Sequence, residues 1–455
     1  MPVSPARATA FDILLRIEQE DAYTSELLYS SRYVNLSSAD HTLATELVMG
    51  VLRWRSLLDR RIAEASSQKL EKLDTEVLIA LRLGIYQMLY LERIPVRAAI
   101  HESVELVKKA RKRSAAPFVN AVLRTISQRR VPGKGIPAVY AVSTTAELAE
   151  VSSHPRWLVE RWTGDLGLQT TQSICAYDQT VPRTAIRLRD ATVEDDLRHE
   201  GIDLAPGNLL VSARTVESGD VSHTNAFREG RIAIQDEASQ LVAMLIGGGR
   251  RILDCCAAPG GKTSVLADHN PQSTIIAADL HPHRARLLRK LVHADNVQVL
   301  AADARRLPFV TQFDRVLVDV ACSGTGTLSR HPEIKWRLKP EDLANLESRQ
   351  LAILQSAMSH VTRGGIVVYS TCSLEREENS GVVEKALASD KSFRLLDCRG
   401  GLEHLRGQGE LVWSDLDSLI SGPYLRTIPG IHPCDGFFAA ILERTNHGST
   451  RNLQA

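Results

Sequence analysis

The chain has 455 residues, of which 44% are hydrophobic and 24% charged. This composition is typical of globular proteins and excludes a largely disordered or collagen-like chain, and the length suits about two to four domains. The formal net charge is only +1, so the overall balance does not indicate a nucleic-acid partner.

Basic residues are concentrated in the first third of the chain. Residues 1–135 hold 21 Lys and Arg against 15 Asp and Glu, a net charge of +6, and the remainder has a net charge of −5. A dense cluster there contains Lys108, Lys109, Arg111, Lys112 and Arg113. Such a cluster can bind a phosphate backbone, but its charge is equally compatible with a solvated helix face.

The sequence carries no export or membrane signal that we recognise. The N-terminal MPVSPARATA has no apolar core after a basic start, and no apolar run approaches the roughly 18 residues of a membrane span. The seven cysteines form no CxxC pair and no His/Cys spacing typical of a metal site. We therefore expect a soluble, cytoplasmic protein without a disulfide framework and without a metal.

The first 130 residues are predicted to form an all-helical domain. Apolar residues recur at helical spacing in segments 6–20, 75–94, 98–113 and 118–130, and Pro95 ends the second of these. Within that second segment one broad stripe contains Val77, Leu78, Leu81, Ile85, Met88 and Leu89. We expect these stripes to form the core of the domain.

A linker and a small mixed domain are predicted to follow. Residues 131–150 begin VPGKGIPAVYAVSTT, in which Pro, Gly and small residues dominate, so we predict a linker there. Residues 151–230 are predicted to be a small α+β module that binds RNA, with a helix at HPRWLVERW and strands at TAIRLR and NLLVSA.

Residues 231–445 are predicted to form an α/β domain with a Rossmann-like fold. From Arg250 onward, short β-rich runs alternate with helical ones, a pattern typical of a parallel, doubly wound sheet. Ligands of such sheets bind at the carboxyl ends of the strands. The residues at those strand ends are therefore the first candidates for a functional site.

The first of these strands runs into a turn of small residues, Asp254-Cys255-Cys256-Ala257-Ala258-Pro259-Gly260-Gly261-Lys262-Thr263. A phosphate-binding GxxxxGK[ST] loop would need glycine at position 256, which is Cys, and the dinucleotide fingerprint GxGxxG is also absent. What remains is a turn whose backbone a ligand can approach closely.

Acidic residues end four of the predicted strands, at Asp254, Asp279, Asp303 and Asp319. Four carboxylates on one rim disfavour a polyphosphate, because like charges repel. They suit a ligand with hydroxyls, an amino group and a positive sulfonium, namely S-adenosylmethionine. Alternatively, an Asp at such a position only caps the following helix.

Two cysteines, Cys322 and Cys372, also follow predicted strands. A free cysteine is usually a small buried hydrophobe, but both lie in polar, Gly-containing surroundings near the cofactor turn. One thiolate can add to carbon 6 of cytosine, which makes carbon 5 nucleophilic toward a methyl donor, and a second thiol can assist release. The pair therefore indicates covalent cytosine chemistry.

Four motifs carry a specific resemblance: QDEASQLVA at 235–243, CAAPGGKT at 256–263, CSGTGTLSRHPEIKW at 322–336 and YSTCSLEREEN at 369–379. With them the chain resembles the NOL1/NOP2/Sun family of RNA 5-methylcytosine methyltransferases, in particular the bacterial Sun-type members that act on small-subunit ribosomal RNA. The helical first 130 residues, including NAVLRTI at 120–126, resemble the NusB-like RNA-binding module fused to those members.

The resemblance implies roles for individual residues. Cys372 would be the nucleophile and Cys322 would assist product release, with Asp319 and Lys262 as further catalytic residues. Asp279 would bind the ribose, Asp303 the adenine side, and Asp319 the junction between cofactor and cytosine. The remaining cofactor contacts would come from the turn Cys256, Ala257, Ala258, Pro259, Gly260, Gly261 and Lys262.

One departure from the family pattern concerns the release thiol. The family usually has Asp-Ala-Pro-Cys at this place, whereas this chain has Asp319-Val320-Ala321-Cys322. Proline fixes φ, so its loss predicts a looser loop before Cys322.

Taken together, the resemblance implies methylation of carbon 5 of a specific cytosine in small-subunit ribosomal RNA, with S-adenosylmethionine as cofactor and a covalent cysteine–cytosine adduct. Lys108, Lys109, Arg111, Lys112 and Arg113 would bind the RNA, and the protein would act as a monomer. The alternatives are a methyltransferase that acts on transfer RNA or another RNA, a small-molecule or DNA methyltransferase on the same sheet, and a non-catalytic RNA-binding factor.

Overall fold

The computed structural model describes residues 3–20, 24–28, 30–33, 36–129 and 139–445. Its helices, in chain order, are α1 Pro5–Glu20, α2 Thr24–Leu28, α3 Ser38–Arg53, α4 Arg55–Ala65, α5 Thr75–Tyr90, α6 Val96–Lys109, α7 Ala116–Gln128, α8 Thr145–Val151, α9 Arg156–Leu166, α10 Leu168–Asp178, α11 Val193–His199, α12 Asn225–Arg228, α13 Glu237–Met244, α14 Gly261–His269, α15 Pro282–Leu291, α16 Ile334–Arg337, α17 Asp342–Ser359, α18 Ser380–Ser389 and α19 Cys398–Gly407. Its strands are β1 Ala185–Leu188, β2 Asp203–Pro206, β3 Ala213–Ser218, β4 Ile232–Ile234, β5 Arg251–Asp254, β6 Thr274–Asp279, β7 Val297–Ala301, β8 Phe313–Asp319, β9 Val361–Thr371, β10 Phe393–Leu396, β11 Ile420–Ser421, β12 Tyr424–Arg426 and β13 Phe438–Arg444.

The chain divides into two compact units. The helical unit comprises the residues up to Val181 together with the segment Leu328–Arg337, and the sheet unit comprises Pro182–Thr327 and the residues from Leu338 onward. The predicted linker 131–150 falls partly on residues 131–138, which lie outside the described residues, and its later part contains the start of α8. The predicted domain boundaries at 130, 150 and 230 stay predictions.

Helix α5 is the central helix of the helical unit. It is buried continuously from Ile79 to Met88, and a helix with buried residues on all faces belongs in a core. Its neighbours approach closely: a Cβ at Gly50 of α3 would lie 1.9 Å from the ring of Tyr86, and one at Gly84 would lie 2.7 Å from the Ser103 hydroxyl. Glycines at these two positions therefore let α3 and α6 pack directly on α5.

The predicted helical stripes are confirmed as core. Of the α5 stripe, Val77, Leu81, Ile85 and Met88 are buried, while Leu78 and Leu89 are half-buried. The helix ends at Tyr90, four residues before the predicted end.

The segment Leu328–Arg337 is held in the helical unit by buried polar contacts. The Lys335 ammonium donates hydrogen bonds of 2.9 Å to the carbonyls of Arg53 and Ser153, and the Trp336 indole N–H donates to the carbonyl of Leu52 at 2.6 Å. The Arg53 guanidinium donates in return to the Ser329 carbonyl. Burial lowers the pKa of Lys335 to about 7, although the nearby charge of Asp178 opposes this shift.

The sheet unit begins with a small four-stranded antiparallel sheet of order β2-β3-β1-β4. The predicted strand at TAIRLR is confirmed as β1, but the one predicted at NLLVSA is wrong. The amides of Asn208, Leu209 and Leu210 donate to the carboxylate of Glu237. Because these amides bond to a side chain and not to a neighbouring strand, no strand forms here, and β3 begins only at Ala213.

The large sheet has nine strands. Five are parallel, in the order β7-β6-β5-β8-β9, and β13 then pairs antiparallel with β9, followed by β12 and β11. The ninth strand, β10, also pairs antiparallel with β13. The predicted parallel, doubly wound arrangement is confirmed for these five strands, and the remaining strands make the sheet mixed. The strand order reverses at β5, where the crevice at the carboxyl ends of the strands accepts ligands.

Within the described part of the chain, no helix is both long enough and apolar enough to span a membrane.

We predict that Lys335 makes the stability of the helical unit pH-dependent. Its pKa is about 7 in the folded protein and 10.5 in an unfolded chain, so between these values the unfolded state binds more protons. Stability must therefore rise with pH in this window, by up to about 1.4 kcal/mol per pH unit. The Lys335→Met variant should lack this rise, although it also loses two hydrogen bonds at every pH.

Urea unfolding at pH 7, 8.5 and 10, followed by tryptophan fluorescence, measures this difference. Four of the five tryptophans lie in the helical unit, namely Trp54, Trp157, Trp162 and Trp336. Lys339→Met at an exposed position serves as the control and should keep the wild-type pH dependence. Parallel pH profiles of Lys335→Met and wild type would show that Lys335 does not titrate in this range.

Candidate active site

The two cysteines predicted to react are neighbours. Cys372 directly follows β9 and Cys322 lies three residues after β8, and these strands pair in parallel with Asp319 opposite Ser370. Their sulfur atoms lie 3.3 Å apart, and both side chains are half-buried. The amide of Gly326 also donates to the Cys372 carbonyl at 2.9 Å, which joins the two loops directly.

The environment of Cys322 keeps it protonated. Its hydrogen bond to Cys372 and its burial raise the pKa of the Cys322 thiol well above its ordinary value. The geometry of the contact allows either thiol to donate to the other.

A half-buried ion pair lies beside the thiols. The Lys262 ammonium is 2.8 Å from the carboxylate of Asp319, and Asp319 also accepts a hydrogen bond of 2.8 Å from the Ser370 hydroxyl. Burial lowers the pKa of Lys262, but Asp319 and the nearby Cys372 together raise it above its ordinary value. The ammonium also lies 5.0 Å from the ring centroid of Phe437. A permanent positive charge is thus held close to Cys372.

The turn from Cys256 to Lys262 connects β5 to α14. Its backbone contacts β6, because the amide of Ala257 donates to the Ala278 carbonyl and that of Ala258 to the Asp279 carboxylate. The Ala258–Pro259 peptide bond is cis, and Gly260 has a φ of +117° at the cap of α14. Cys255, just before the turn, is buried in the apolar core.

Asp254 is a buried acid beneath this turn. Burial raises the pKa of Asp254 to about 7, although the Thr263 hydroxyl donates to its Oδ2 at 2.7 Å. Its Oδ1 is buried and, among the described residues, has no hydrogen-bond partner of normal geometry. A buried oxygen without a partner can accept a hydrogen bond from a bound ligand.

The other two strand-end acids have protein partners. Asp279 accepts from the amides of Ala258 and His281, and Arg284 lies 3.8 Å away. Asp303 accepts from the amide and guanidinium of Arg305, which lower its pKa. Asp303 therefore caps the turn that follows its strand, the alternative that the sequence left open.

The predicted RNA-binding residues lie at the end of α6 and in the turn after it, in the helical unit. Lys108 pairs with Glu105 at 2.7 Å, and Lys112 with Asp74 at 3.0 Å. Among the described residues, Lys109, Arg111 and Arg113 have no acidic partner within salt-bridge distance, and all three are exposed. These three are the side chains free to meet a phosphate.

Sequence reasoning missed the buried polar residues that join the cysteine loops. Glu378 is fully buried and accepts hydrogen bonds from Ser323, Ser373 and Gln350. Glu378 lies within the motif YSTCSLEREEN, so the available signal was an acid near Cys372. Nothing in the sequence distinguishes it from the adjacent Glu377, which is half-buried.

Comparison with known proteins shows two family matches within the chain. The profile described as 16S rRNA methyltransferase RsmB/F matches residues 244–443, and that of the NusB family matches residues 4–128. A Bacillus subtilis protein named probable ribosomal RNA small subunit methyltransferase B is 36% identical over 409 residues, which cover 86% of this chain and 90% of the relative. The chain belongs to the RsmB/F family. A Pseudomonas syringae ribosomal RNA small subunit methyltransferase B is 34% identical over 382 residues, 79% of this chain and 82% of the relative.

Solved structures agree with the fold of an RsmB/F methyltransferase. The protein PH0851 superposes with a TM-score of 0.78 at 23% identity and covers 97% of this chain and 99% of its own. NSun6 from Pyrococcus horikoshii, crystallised with SFG, gives a TM-score of 0.54 at 20% identity over 64% of this chain and 99% of its own. The cofactor of this RsmB/F methyltransferase is S-adenosylmethionine.

The residues at the strand ends fit that cofactor. The unpartnered oxygen of Asp254 and the carboxylates of Asp279 and Asp319 provide acceptors and negative charge for hydroxyls, an amino group and a sulfonium. Lys262 is engaged by Asp319, so it does not offer a free cation to a phosphate. Within the described ranges, no group of three or more His, Cys, Asp and Glu residues could hold a metal ion.

We predict that Gly260→Ala weakens cofactor binding at least ten-fold. The residue needs its positive φ, and a Cβ there would lie 2.5 Å from Val292 and 2.8 Å from Leu288. Strain and overpacking should together lower the free energy of unfolding by about 2–4 kcal/mol. Titration calorimetry with S-adenosylmethionine measures the first effect, and urea unfolding measures the second.

Gly407→Ala in α19 is the matched control. No heavy atom lies within 4 Å of the Cβ position there, and alanine favours a helix over glycine. Cofactor affinity should stay within two-fold and stability should not fall. Equal cofactor affinities of Gly260→Ala and Gly407→Ala would show that the turn does not shape the cofactor site.

Proposed function

We propose that this protein methylates carbon 5 of a cytosine in small-subunit ribosomal RNA through a transient bond between Cys372 and carbon 6 of the base. The observation that carries this proposal is the 3.3 Å separation of the Cys322 and Cys372 sulfurs at the ends of two parallel strands. A methyltransferase that acted on an oxygen or an exocyclic nitrogen would need neither thiol.

The reaction begins with nucleophilic attack. The Cys372 thiolate adds to carbon 6, and the electron pair of the 5,6 double bond moves to carbon 5, which becomes nucleophilic. The bound cofactor supplies an electrophilic methyl group. After carbon 5 has taken the methyl, it carries both the methyl and its original proton, so product release requires loss of that proton and of the thiolate.

Lys262 and Asp319 support the attack step in this proposal. The ammonium of Lys262, half-buried and held by Asp319, supplies a positive charge beside the attacking sulfur of Cys372. Asp319 lies at the end of β8 with Ser370 on one of its oxygens. Its other oxygen forms the ion pair with Lys262. Because each oxygen has two lone pairs, the carboxylate can still accept a hydrogen bond from the amino group of a cytosine.

Cys322 serves the release step. Its raised pKa keeps it a thiol while Cys372 attacks, and its loop is tied to the β9 loop at Gly326. When Cys372 has bonded to the base, the hydrogen bond between the sulfurs is lost. This loss removes the largest cause of the raised pKa of Cys322, whose proton then passes to solvent. The Cys322 thiolate takes the carbon 5 proton, and expulsion of the Cys372 thiolate restores the double bond.

RNA binding is assigned to the helical unit and its exposed cations. The match of residues 4–128 to the NusB family and the exposed Lys109, Arg111 and Arg113 support this assignment. Lys108 and Lys112 contribute less, because Glu105 and Asp74 already neutralise them.

The two cysteine variants should fail at different stages. With Cys322→Ala, Cys372 still adds to the base and the methyl is transferred, but elimination stalls and the enzyme stays bonded to RNA. With Cys372→Ala, no bond forms and methylation is lost, while cofactor affinity stays within a few-fold. Denaturing gel electrophoresis with labelled ribosomal RNA and S-adenosylmethionine detects the bonded species.

The double variant is the control and should give no adduct. An adduct that requires Cys322 and survives the loss of Cys372 would reverse the two roles. Normal turnover by Cys372→Ala would refute the covalent mechanism altogether. Bisulfite sequencing of ribosomal RNA from cells with and without the gene locates the modified cytosine.

Neutralising the exposed cations should flatten the salt dependence of RNA binding. The triple change of Lys109, Arg111 and Arg113 to Gln should reduce the slope of log affinity against log salt by about 0.7–0.9 for each phosphate that the protein no longer neutralises. The double change of Lys108 and Lys112 to Gln is the matched comparison and should have the smaller effect per residue. Filter binding at low and high salt gives both slopes, and an unchanged slope in the triple variant would show that this surface is only solvated.

A further inference from the structure

Glu378 is a buried carboxylate that has no place in the chemistry described so far. It ends the short turn Arg376–Glu378 after β9 and is 0% exposed. Within the described part of the chain, the donors that reach it include no lysine and no arginine. A buried carboxylate without a positive partner destabilises the fold unless hydrogen-bond donors reach both of its oxygens. The donors to Glu378 therefore show what it does.

The donors to Glu378 come from both cysteine loops. Its Oε1 accepts from the amide of Ser323 at 2.8 Å, and its Oε2 accepts from the hydroxyl of Ser373 at 2.6 Å. The Ser323 hydroxyl also donates to Oε2. Ser323 and Ser373 are the residues that directly follow Cys322 and Cys372, so one carboxylate contacts both loops one residue beyond each thiol.

Gln350 of α17 completes the arrangement. Its side-chain amide donates to Glu378 at 2.8 Å and to the carbonyl of Ala321 at 3.1 Å. Ala321 occupies the position where the family pattern has proline. The loop that was expected to be looser is therefore held by hydrogen bonds on both sides of Cys322, at Ala321 and at Ser323.

We propose that Glu378 is a positioning residue that holds the two cysteine loops together, so that the attacking and the releasing thiol lie sulfur to sulfur. The catalytic consequence rests on the function proposed above, whereas the positioning of the thiols does not. The four donors fill the acceptor sites of one carboxylate. A glutamine is a poor substitute, because its NH₂ group would require the Ser323 and Ser373 hydroxyls to accept instead of donate, and the charge that strengthens all four hydrogen bonds is lost.

The test measures the distance between the thiols chemically. Diamide couples two adjacent thiols: each loses one proton and one electron, the S–S bond forms, and the azo double bond of diamide is reduced to a hydrazine. In the full-length protein, coupling of Cys322 to Cys372 joins the tryptic peptides 316–330 and 364–376. Mass spectrometry of the digest gives the rate without RNA or cofactor.

We expect Glu378→Gln to slow this coupling at least ten-fold, and Ser373→Ala to slow it by a smaller factor. In the methylation reaction Glu378→Gln should lower kcat at least ten-fold and leave KM for RNA within three-fold. The matched control is Glu237→Gln, which likewise removes a buried carboxylate. Glu237 accepts hydrogen bonds from three backbone amides and does not contact the cysteine loops. Its coupling rate should equal that of the wild type.

Equal coupling rates in Glu378→Gln and Glu237→Gln would overturn the proposal. If Glu378→Gln does not fold, Ser373→Ala decides the question, because it deletes only one hydroxyl, and an unchanged rate there would also overturn it. Slow coupling in Glu378→Gln combined with full activity of Cys372→Ala would refute the proposed function and leave the positioning role intact. Normal coupling in Glu378→Gln together with an inactive Cys372→Ala would refute the positioning role and leave the proposed function intact.

Discussion

The parallel pairing of β8 with β9 is the constraint on which the site depends. Because Asp319 lies opposite Ser370, both chains leave the sheet at the same level and on the same edge. One loop carries Cys322, the other carries Cys372, and the shared register brings the two sulfurs to 3.3 Å. A shift of one residue in this register would move Asp319 away from both Ser370 and Lys262, since neighbouring residues of a strand point to opposite faces.

Around that pairing, polar groups give the two sulfurs different surroundings. Lys262 is half-buried and pairs with Asp319, and its positive charge acts on Cys372. The hydrogen bond to Cys372 and burial raise the pKa of Cys322. The proposed division into attack and release requires such different surroundings for two chemically identical side chains.

Buried polar contacts also hold a segment in place in the helical unit. Its core is apolar and organised around α5, but the segment Leu328–Arg337 enters it through Lys335, Trp336 and backbone carbonyls. A buried lysine with a pKa of about 7 stabilises the fold less than an apolar residue of the same size would. Its hydrogen bonds to two carbonyls of different segments instead specify one way for this segment to lie among the helices.

Local patterns in the sequence were sufficient to predict several elements and the place of the candidate site. Apolar spacing predicted α1, α5 and α6, the alternation of β and α segments predicted the five parallel strands, and the positions of Asp319, Cys322 and Cys372 after strands predicted that they lie at one rim of the sheet. These features depend on hydrogen bonds and packing within one element or between neighbours in the chain. NLLVSA was predicted wrongly because its amides bond to Glu237, 27 to 29 residues away.

Only the tertiary structure decided how the long-range polar groups are satisfied. Asp319 is paired with Lys262, and Glu378 rather than Glu377 turns inward to join the cysteine loops. Each of these outcomes depends on which donors the fold brings within hydrogen-bond distance, and a pattern of residue types does not contain that information. By itself, the sequence determined most of the elements and the strand ends at which Asp319, Cys322 and Cys372 lie. The packing of α17 and of the loops after β8 and β9 decided which partners surround them, because a buried charge takes whatever donor lies within reach.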